Sequence, residues 1–324
     1  MNLTKIVVTY YVSENERYLY KEALDNKARI VFLKDISKEE RAAELENTDI
    51  LLTWNVSKEL DGIERSIFKK LRFIQLLSAG YDNLNFSRFP DDCLIAANQG
   101  AYSEPMAEHV VAMILTLSKR LLINHKKMAH GDFDQITPNR LLKKSIVGII
   151  GFGGIGIAAA HLLKSFGVKI LAINTSGKTN ENVEFIGTLN DLDYVLNKSD
   201  IVIISIPLND STRNLIGKRE LNLMKPNSII INVARGDLIM EKDLFDHLIS
   251  NPDFLAGIDA WWIEPFRNGE FRLNFPLLDL PNVIGSPHNS AVVQDSLIAG
   301  QKRAVDNVVN FLEDKPLRGI VKRN

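Results

Sequence analysis

The sequence predicts an α/β protein with two doubly wound parallel-sheet domains, and three observations support this prediction. Short apolar runs of strand length alternate with polar, helix-like runs along the whole chain. Most apolar runs are continuous, which is typical of strands that are covered by helices on both faces. The 324 residues are long for one compact core and sufficient for two. Strand–helix alternation further predicts parallel pairing with right-handed crossovers.

Two sets of predicted strands follow one another along the chain. The first set has candidates at 5–10, 28–33, 49–54, 73–77 and 93–96, with polar segments such as 14–26 and 38–46 between them. The second set has candidates at 145–150, 169–174, 201–206, 228–233, 254–258 and 282–284. Two long helix candidates, 103–121 and 292–312, would bridge the domains. This places one domain at 1–99 and 291–324 and the other at 100–290.

The composition excludes several classes of protein. A formal net charge of −1, without a run of five basic residues, argues against nucleic acid or a membrane surface as a partner. Cys93 is the only cysteine, so an intramolecular disulfide and a cysteine-rich metal site are both excluded. The N-terminus lacks the features of a signal peptide, and glycines within the apolar stretch 146–163 argue against a spanning helix. We therefore expect a cytoplasmic protein that does not bind membranes.

The most specific local motif is a glycine-rich turn formed by Gly151, Gly153, Gly154, Ile155 and Gly156. A strand candidate precedes it, and a helical run at 157–166 and another strand follow it, as in a dinucleotide-binding βαβ unit. Gly151 would permit the tight turn, Gly153 the close approach of a pyrophosphate, and Gly156 the packing of helix on strand. Free N–H groups and the helix dipole would face the phosphates. An ordinary glycine-rich turn is the alternative interpretation.

The loop after the second strand of this unit would contact the 2′ position of the cofactor. A site selective for NAD usually carries an acidic residue about 20 residues after the glycines. This sequence instead has Asn174, Thr175, Ser176 and Lys178. Two hydroxyls and a lysine could hold a 2′-phosphate, whereas no carboxylate is present to bond the ribose hydroxyls. The sequence therefore favours NADP over NAD, with a solvated loop as the alternative.

Three charged or titratable residues follow late strands at their carboxyl ends, namely Arg235, Glu264 and His288. Ligands of open parallel sheets bind outside these ends, so the three side chains can line one cleft. His288 can supply a proton near neutral pH, and Glu264 would orient its ring and stabilise the imidazolium. Arg235 can bind a substrate carboxylate and polarise a keto oxygen. These residue types predict reduction of a 2-keto acid by a nicotinamide cofactor, without a metal.

Each of these side chains also has an ordinary interpretation. A histidine after a strand is often a structural hydrogen-bonding group, and Arg235 and Glu264 could be a surface ion-pair partner and a loop acid. Their common position at strand ends favours the functional interpretation. The remaining histidines lie in helical or polar segments and are interpreted as structural; they are His109, His125, His130, His161 and His247.

Several motifs together resemble the D-isomer-specific 2-hydroxyacid dehydrogenase family, over nearly the whole chain. Besides the glycine turn and the segments that contain Arg235 and Glu264, they are Leu77-Ser78-Ala79-Gly80-Tyr81-Asp82, Asn98-Gln99-Gly100, Ala107-Glu108-His109, Ile206-Pro207-Leu208 and Pro287-His288. The resemblance implies that Arg235, Glu264 and His288 are catalytic. It implies substrate contacts at Ser78, Ala79 and Gly80, besides Arg235 and His288. It implies further cofactor contacts at Pro207, Thr212, Val233, Ala234 and Asp259, the last with the nicotinamide amide.

The resemblance also implies an architecture and partners. A Rossmann cofactor domain would be inserted in a flavodoxin-like substrate domain, and homodimers would form through helix 103–121. The substrate would be a small 2-hydroxy or 2-keto acid, as for glyoxylate/hydroxypyruvate reductases or phosphoglycerate dehydrogenases. Because the chain ends shortly after the last predicted helix, no serine-sensing regulatory domain is expected.

Some residues depart from the usual pattern of the family. Trp261-Trp262 before Glu264 and Asn289-Ser290 after His288 are unusual, which leaves the choice of substrate open. Glu264 argues against the formate dehydrogenase branch, which carries glutamine there. L-lactate and malate dehydrogenases are disfavoured because their glycine turn lies near the N-terminus. A corepressor-like protein that uses the cofactor as a sensor remains the alternative function.

Overall fold

The computed structural model describes residues 3–82 and 84–322. The chain forms two compact units, one of residues 1–102 and 293–324 and the other of residues 103–292. Within the described ranges, no helix is both long enough and apolar enough to cross a membrane.

Strands and helices alternate along most of the chain. The strands are β1 (Thr4–Val8), β2 (Ala28–Phe32), β3 (Ile50–Thr53), β4 (Phe73–Leu76), β5 (Leu94–Ala96), β6 (Ile146–Ile150), β7 (Lys169–Ile173), β8 (Phe185–Gly187), β9 (Ile201–Ile204), β10 (Ile229–Asn232), β11 (Leu255–Ile258) and β12 (Val283–Gly285). The helices are α1 (Glu14–Leu24), α2 (Lys38–Glu46), α3 (Val56–Glu59), α4 (Ser103–Ser118), α5 (Leu121–Ala129), α6 (Gly154–Lys164), α7 (Leu192–Lys198), α8 (Lys218–Leu223), α9 (Glu241–Ser250), α10 (Pro265–Asn268) and α11 (Gln294–Leu312).

The first unit is built around a parallel sheet of five strands in the order β2-β1-β3-β4-β5. This is the flavodoxin-like doubly wound order. Along β1, Val7 packs into one core, whereas Ile6 and Val8 pack into a second core on the opposite face, which also contains Ala304 and Val308 of α11. Because both faces are covered, every central position of the strand is apolar, which explains the continuous apolar run in the sequence.

The first two helices begin where the sequence encodes capping boxes. In α1 the Ser13 side chain accepts from the Glu16 amide while the Glu16 side chain accepts from the Ser13 amide. Ser37 and Glu40 form the same reciprocal arrangement at the start of α2. Each box satisfies amide groups that would otherwise lack a partner at the helix start, so these residues set where the helices begin.

The second unit is built around a parallel sheet of seven strands in the order β12-β11-β10-β9-β6-β7-β8. The winding direction reverses between β6 and β9, and this switch point is where Rossmann folds bind dinucleotides. All four residues of β9 and of β10 are buried, as expected for central strands with helices on both faces. The two sheets confirm the predicted fold class.

Three local features differ from the sequence prediction. Strand β8, at the sheet edge beside β7, was not predicted, because its one buried residue is Gly187 while Phe185 and Ile186 are only half-buried. The predicted helix 103–121 is divided, because Arg120 adopts a left-handed conformation with φ of 53° between α4 and α5. Helix α6 begins at Gly154, ahead of the predicted helical run, so part of the glycine turn is helical.

Candidate active site

The candidate active site lies at the carboxyl ends of three strands of the second unit. Arg235 follows β10, Glu264 follows β11 and His288 follows β12. These strands are adjacent and parallel in the sheet, so their carboxyl ends share one edge. The topology therefore brings the three predicted residues to a single edge, where ligands of such sheets bind.

Arg235 lies in a tight turn that the buried side chain of Asn232 holds together. Asn232 Oδ1 accepts a hydrogen bond from the Ala234 amide at 3.0 Å, and Asn232 Nδ2 donates to the Arg235 carbonyl at 2.8 Å. The Arg235 side chain is half-buried, and its Nη1 donates to the Ala234 carbonyl at 2.7 Å. The last residue of β10 thus fixes the backbone from which the guanidinium extends.

The residue after Arg235 is glycine because two backbone segments meet there. A Cβ at Gly236 would overlap the carbonyl carbon of Trp261 and lie 2.5 Å from the Trp262 amide nitrogen. Backbone atoms cannot yield as the end of a flexible side chain can, so a larger residue would force the two segments apart. This close approach holds the Arg235 turn against the segment that leads to Glu264.

Glu264 and His288 form a directly hydrogen-bonded pair. His288 Nδ1 lies 2.8 Å from each carboxylate oxygen of Glu264, whose side chain is only 7% exposed. The Trp261 amide also donates to Glu264 Oε1, at 2.6 Å. Burial opposes the charged form of Glu264, but the bonds from His288 and Trp261 and the charge of Arg235 hold the pKa of this carboxyl below its usual value. Glu264 is therefore ionised at neutral pH and can orient the imidazole ring.

His288 occupies a left-handed backbone conformation, with φ of 50°. Such strain costs about 1–3 kcal/mol and persists only where the surroundings hold it. Here the fully buried carboxylate of Asp259 holds the turn on both sides of His288. It accepts from Ser286 Oγ at 2.5 Å, from the Asn289 amide at 3.2 Å and from the Ser290 amide at 3.3 Å. Asp259, predicted as a cofactor contact, is thus bonded to the turn that carries His288.

Helix α4 also contacts this turn. His109 Nε2 lies 2.9 Å from Ser286 Oγ and 3.8 Å from Asp259 Oδ1. Sequence reasoning interprets His109 as structural and does not single out Ser286. The one available signal for Ser286 is its position in the predicted loop between β12 and His288.

The two tryptophans before Glu264 both hydrogen-bond to backbone. Trp261 is 3% exposed and its Nε1 donates to the Ser286 carbonyl at 2.8 Å. Trp262 is half-buried and its Nε1 donates to the Ile239 carbonyl at 2.7 Å. The unusual Trp-Trp pair therefore ties the loop after β11 to the loops after β10 and β12.

The glycine turn between β6 and α6 shows three different requirements for glycine. Gly151 has φ of 106°, and a Cβ there would lie 2.6 Å from the Ile206 amide nitrogen. A Cβ at Gly156 would overlap the Gly151 carbonyl oxygen, so this position needs glycine for helix–strand packing. A Cβ at Gly153, by contrast, would meet no heavy atom within 4 Å. The packing of the chain therefore does not require glycine at 153.

The loop after β7 contains the residues predicted to contact the 2′ position. Asn174 Oδ1 accepts from the Ser176 and Gly177 amides at 3.1 and 2.8 Å, and Asn174 Nδ2 donates to the Lys178 carbonyl at 2.8 Å. Asn174 therefore shapes the loop, while Thr175, Ser176 and Lys178 are exposed.

The other predicted cofactor residues lie after β9 and β10. The buried hydroxyl of Thr212 donates to the Pro207 carbonyl at 2.8 Å and accepts from the Asn209 amide at 2.9 Å, which closes the loop after β9. Val233 is fully buried, and Ala234 is half-buried in the Arg235 turn. These residues lie at the same carboxyl edge of the sheet as the catalytic candidates.

The predicted substrate loop lies in the first unit, directly after β4. Ser78, Ala79 and Gly80 are all half-buried. Ser78 Oγ lies 2.8 Å from the Gly80 carbonyl and 3.3 Å from the Trp54 carbonyl, and either can accept its proton. The hydroxyl thus stabilises the loop at the carboxyl edge of its own sheet.

Comparisons with known proteins agree with this architecture. Residues 111–290 match the model of the "D-isomer specific 2-hydroxyacid dehydrogenase, NAD binding domain". A hydroxypyruvate reductase of Thermotoga maritima is 30% identical over 83% of this chain and 87% of its own length. A D-3-phosphoglycerate dehydrogenase of Methanocaldococcus jannaschii is 28% identical over 99% of this chain, but the chain spans only 59% of that relative's length. A glyoxylate reductase structure from Paecilomyes thermophila superposes with a TM-score of 0.83 at 22% identity, covering 99% of both chains.

Proposed function

Because the chain belongs to the D-isomer-specific 2-hydroxyacid dehydrogenase family, we propose that it transfers a hydride between NAD(P) and a small 2-keto or 2-hydroxy acid. Glyoxylate, hydroxypyruvate and 3-phosphohydroxypyruvate are the first substrates to test. The observation that carries this proposal is the pair of Glu264 and His288, 2.8 Å apart at the sheet edge where Arg235 also lies.

His288 acts as the acid in keto-acid reduction and as the base in the reverse direction. Its Nδ1 is bonded to Glu264, which leaves Nε2 to hold the proton for the oxygen at C2 of the substrate. The carboxylate fixes which ring nitrogen faces the substrate, and it balances the charge when the ring is protonated.

Arg235 binds the substrate carboxylate and polarises the keto oxygen. A guanidinium can form two parallel hydrogen bonds with a carboxylate, which fixes the orientation of the substrate as well as binding it. The backbone from which this side chain extends is held by the hydrogen bonds of Asn232 and by the close contact of Gly236 with the backbone of Trp261 and Trp262. Ser78, Ala79 and Gly80 are proposed to complete substrate binding, as the family resemblance implies.

The residues of the second unit fit a dinucleotide. When bound, the nicotinamide supplies or accepts the hydride. The open space at Gly153 and the first turn of α6, which contains no acidic residue, suit a pyrophosphate. Gly151, Gly154, Ile155 and Gly156 complete this turn, and the remaining contacts are proposed at Asn174, Thr175, Ser176, Lys178, Pro207, Thr212, Val233, Ala234 and Asp259. We accordingly assign residues 100–290 to the cofactor and residues 1–99 and 291–324 to the substrate.

NADP is the proposed cofactor in preference to NAD. Exposed Thr175, Ser176 and Lys178 can donate to a 2′-phosphate, and no carboxylate occurs between 174 and 178 to repel it. Lys178→Ala should therefore reduce kcat/KM with NADPH more than with NADH. A wild-type kcat/KM that is much higher with NADH than with NADPH would contradict this preference.

A panel of 2-keto acids assayed with NADH and with NADPH tests the proposed function. We expect steady oxidation of the reduced cofactor with at least one of glyoxylate, hydroxypyruvate or 3-phosphohydroxypyruvate. Cofactor binding without turnover of any keto acid would favour a cofactor-sensing, corepressor-like protein instead.

We also propose that the chain forms a homodimer through the region 103–121, which comprises α4 and the start of α5, and through the segment that follows it. Helix α4 buries most of its apolar side chains within its own unit, but α5 has no buried residue. The chain from α5 onwards exposes several large apolar side chains, which are Leu121, Leu122, Met128, Phe133, Ile136 and Leu141. An apolar stretch of this extent is typical of a surface that another chain covers.

A further inference from the structure

We propose that His109 and Ser286 are positioning residues of the active site, which hold the turn carrying His288 through a hydrogen-bond relay to Asp259. This inference rests on the proposed function, because its consequence for turnover depends on His288 as the proton donor. It assigns His109, on α4, a role in the site beyond the packing of its own helix.

The direction of the relay follows from the chemistry of the three groups. Ser286 Oγ lies 2.5 Å from Asp259 Oδ1, the oxygen that also accepts from the Asn289 amide, so the hydroxyl donates its proton to Asp259. The hydroxyl oxygen is then the acceptor for His109 Nε2 at 2.9 Å, which must carry a hydrogen. His109 Nε2 is 3.8 Å from Asp259 Oδ1, too far for a direct hydrogen bond. The histidine therefore acts on the carboxylate through the Ser286 hydroxyl.

The relay acts on the strained part of the catalytic turn. Asp259 accepts a hydrogen bond from Ser286 Oγ on one side of His288 and from the Asn289 and Ser290 amides on the other. The left-handed conformation of His288 needs such external bonds, because an unsupported chain would relax to a more favourable conformation. A loosened turn would move the imidazole away from its bonds with Glu264.

Helix α4 provides a rigid support for the relay. It has 16 residues, and its apolar side chains such as Val110 and Met113 are buried in the second unit. His109 is thus carried by a packed helix, with its side chain 26% exposed. Trp261 provides a second support, because its Nε1 donates to the Ser286 carbonyl at 2.8 Å. Both sides of Ser286 are therefore anchored, one through the hydroxyl and one through the backbone.

A matched pair of variants at His109 tests the relay in the full-length chain. His109→Leu removes the donor, and we expect kcat to fall by about 2- to 13-fold, the range for the net loss of one hydrogen bond. The KM for the keto acid should change little, because Arg235 is untouched. His109→Gln retains a side-chain N–H donor and should recover much of kcat. His161→Leu, at an exposed histidine paired with Glu181, is the control and should have no effect.

A double-mutant cycle with Ser286 shows whether the two residues act together. Ser286→Ala should resemble His109→Leu, and the double variant should be no worse than the more affected single variant, because both break one relay. Ser286→Thr keeps the hydroxyl and should retain more activity than Ser286→Ala. Additive losses, unchanged kcat in His109→Leu, or a lowered Tm with no recovery in His109→Gln would each overturn the proposal.

Hydrogen exchange separates this proposal from the proposed function. In His109→Leu the Asn289 and Ser290 amides should exchange faster than in the wild type, whether or not any substrate is turned over. If the wild type reduced no keto acid, the proposed function would fail and the relay would still be judged by these two amides. Unchanged exchange of both amides would overturn the relay.

Discussion

His288 combines a chemical role with an unusual backbone conformation, and two substitutions can separate them. His288→Ala should lower kcat by ~10²–10⁴-fold, the usual range for loss of a general acid–base group. His288→Asn should lose as much activity while it preserves the turn, because asparagine tolerates the left-handed conformation seen here. Steady-state turnover and thermal melting of both variants check this. Near-normal turnover at neutral pH in either variant would exclude His288 as the proton donor.

Arg235 should act mainly on substrate binding. Arg235→Ala should raise the KM for the keto acid and also lower kcat, because the carboxylate loses its clamp and the keto oxygen its polarising group. Arg235→Lys keeps the charge without the planar fork, so it should restore little of the affinity. Steady-state kinetics with the keto acid and with the reduced cofactor distinguish the two effects. An unchanged KM for the keto acid in both variants would contradict the clamp.

The lowered pKa of Glu264 has a consequence for stability as a function of pH. A carboxyl with a folded-state pKa below its unfolded value stabilises the fold fully above the unfolded value, and this contribution is lost as the pH falls through the folded value. Glu264→Gln removes the contribution. The Tm difference between wild type and variant should therefore be largest near neutral pH and should decrease on acidification. A Tm difference between wild type and Glu264→Gln that stays constant across a pH series would contradict the lowered pKa of Glu264.

At the scale of single elements, the buried central strands were well predicted, whereas one edge strand and one break between two helices were not. Strands such as β9 and β10 can be recognised in the sequence as continuous apolar runs, because helices cover both of their faces and every residue is buried. The edge strand β8 buries only Gly187, while Phe185 and Ile186 are half-buried, so no fully buried apolar side chain marks it as a strand. The break between α4 and α5 depends on one left-handed residue, Arg120, whose side chain is compatible with helix.

The residues of the candidate site also differ in how far the sequence predicts their positions. The position of Arg235, Glu264 and His288 at one sheet edge was predictable, because each lies in the loop after a strand and parallel topology places such loops at one edge. The contact of His109 with Ser286 was not predictable, since the two residues are 177 positions apart on a helix and a loop that no strand pairing relates. The hydrogen-bonding role of Trp261 likewise depends on packing between loops, which no sequence period encodes.

Two glycines of the same turn should respond differently to a methyl group. Gly153→Ala should leave Tm close to that of the wild type but weaken NAD(P)H binding, because its Cβ meets only open space where the phosphates are expected. Gly156→Ala should lower Tm, because its Cβ overlaps the Gly151 carbonyl oxygen. Thermal melting and cofactor titration of both variants test this contrast. Unaltered cofactor affinity in Gly153→Ala would remove the phosphate assignment of this turn.

At the scale of the whole molecule, self-association should depend on the exposed segment after α5. Phe133 and Ile136 are 68% and 92% exposed, so charges there should not disturb the fold of the monomer. Phe133→Glu/Ile136→Glu should convert a dimer to a monomer, because a buried interface cannot accept unpaired carboxylates. Tyr18→Glu, at a 66% exposed position on α1, is the matched control. Analytical ultracentrifugation that finds a monomeric wild type would contradict the dimer.

The open space at Gly153 has an evolutionary consequence. Selection for folding preserves Gly151 and Gly156, because the chain itself occupies the space beside them. Folding places no such demand on Gly153. A descendant that kept this architecture and abandoned redox chemistry would therefore be free to accumulate larger side chains at 153 first. In a diverged homologue, glycine at position 153 would then indicate that its ancestors bound the coenzyme, and a larger residue there would indicate that they had stopped.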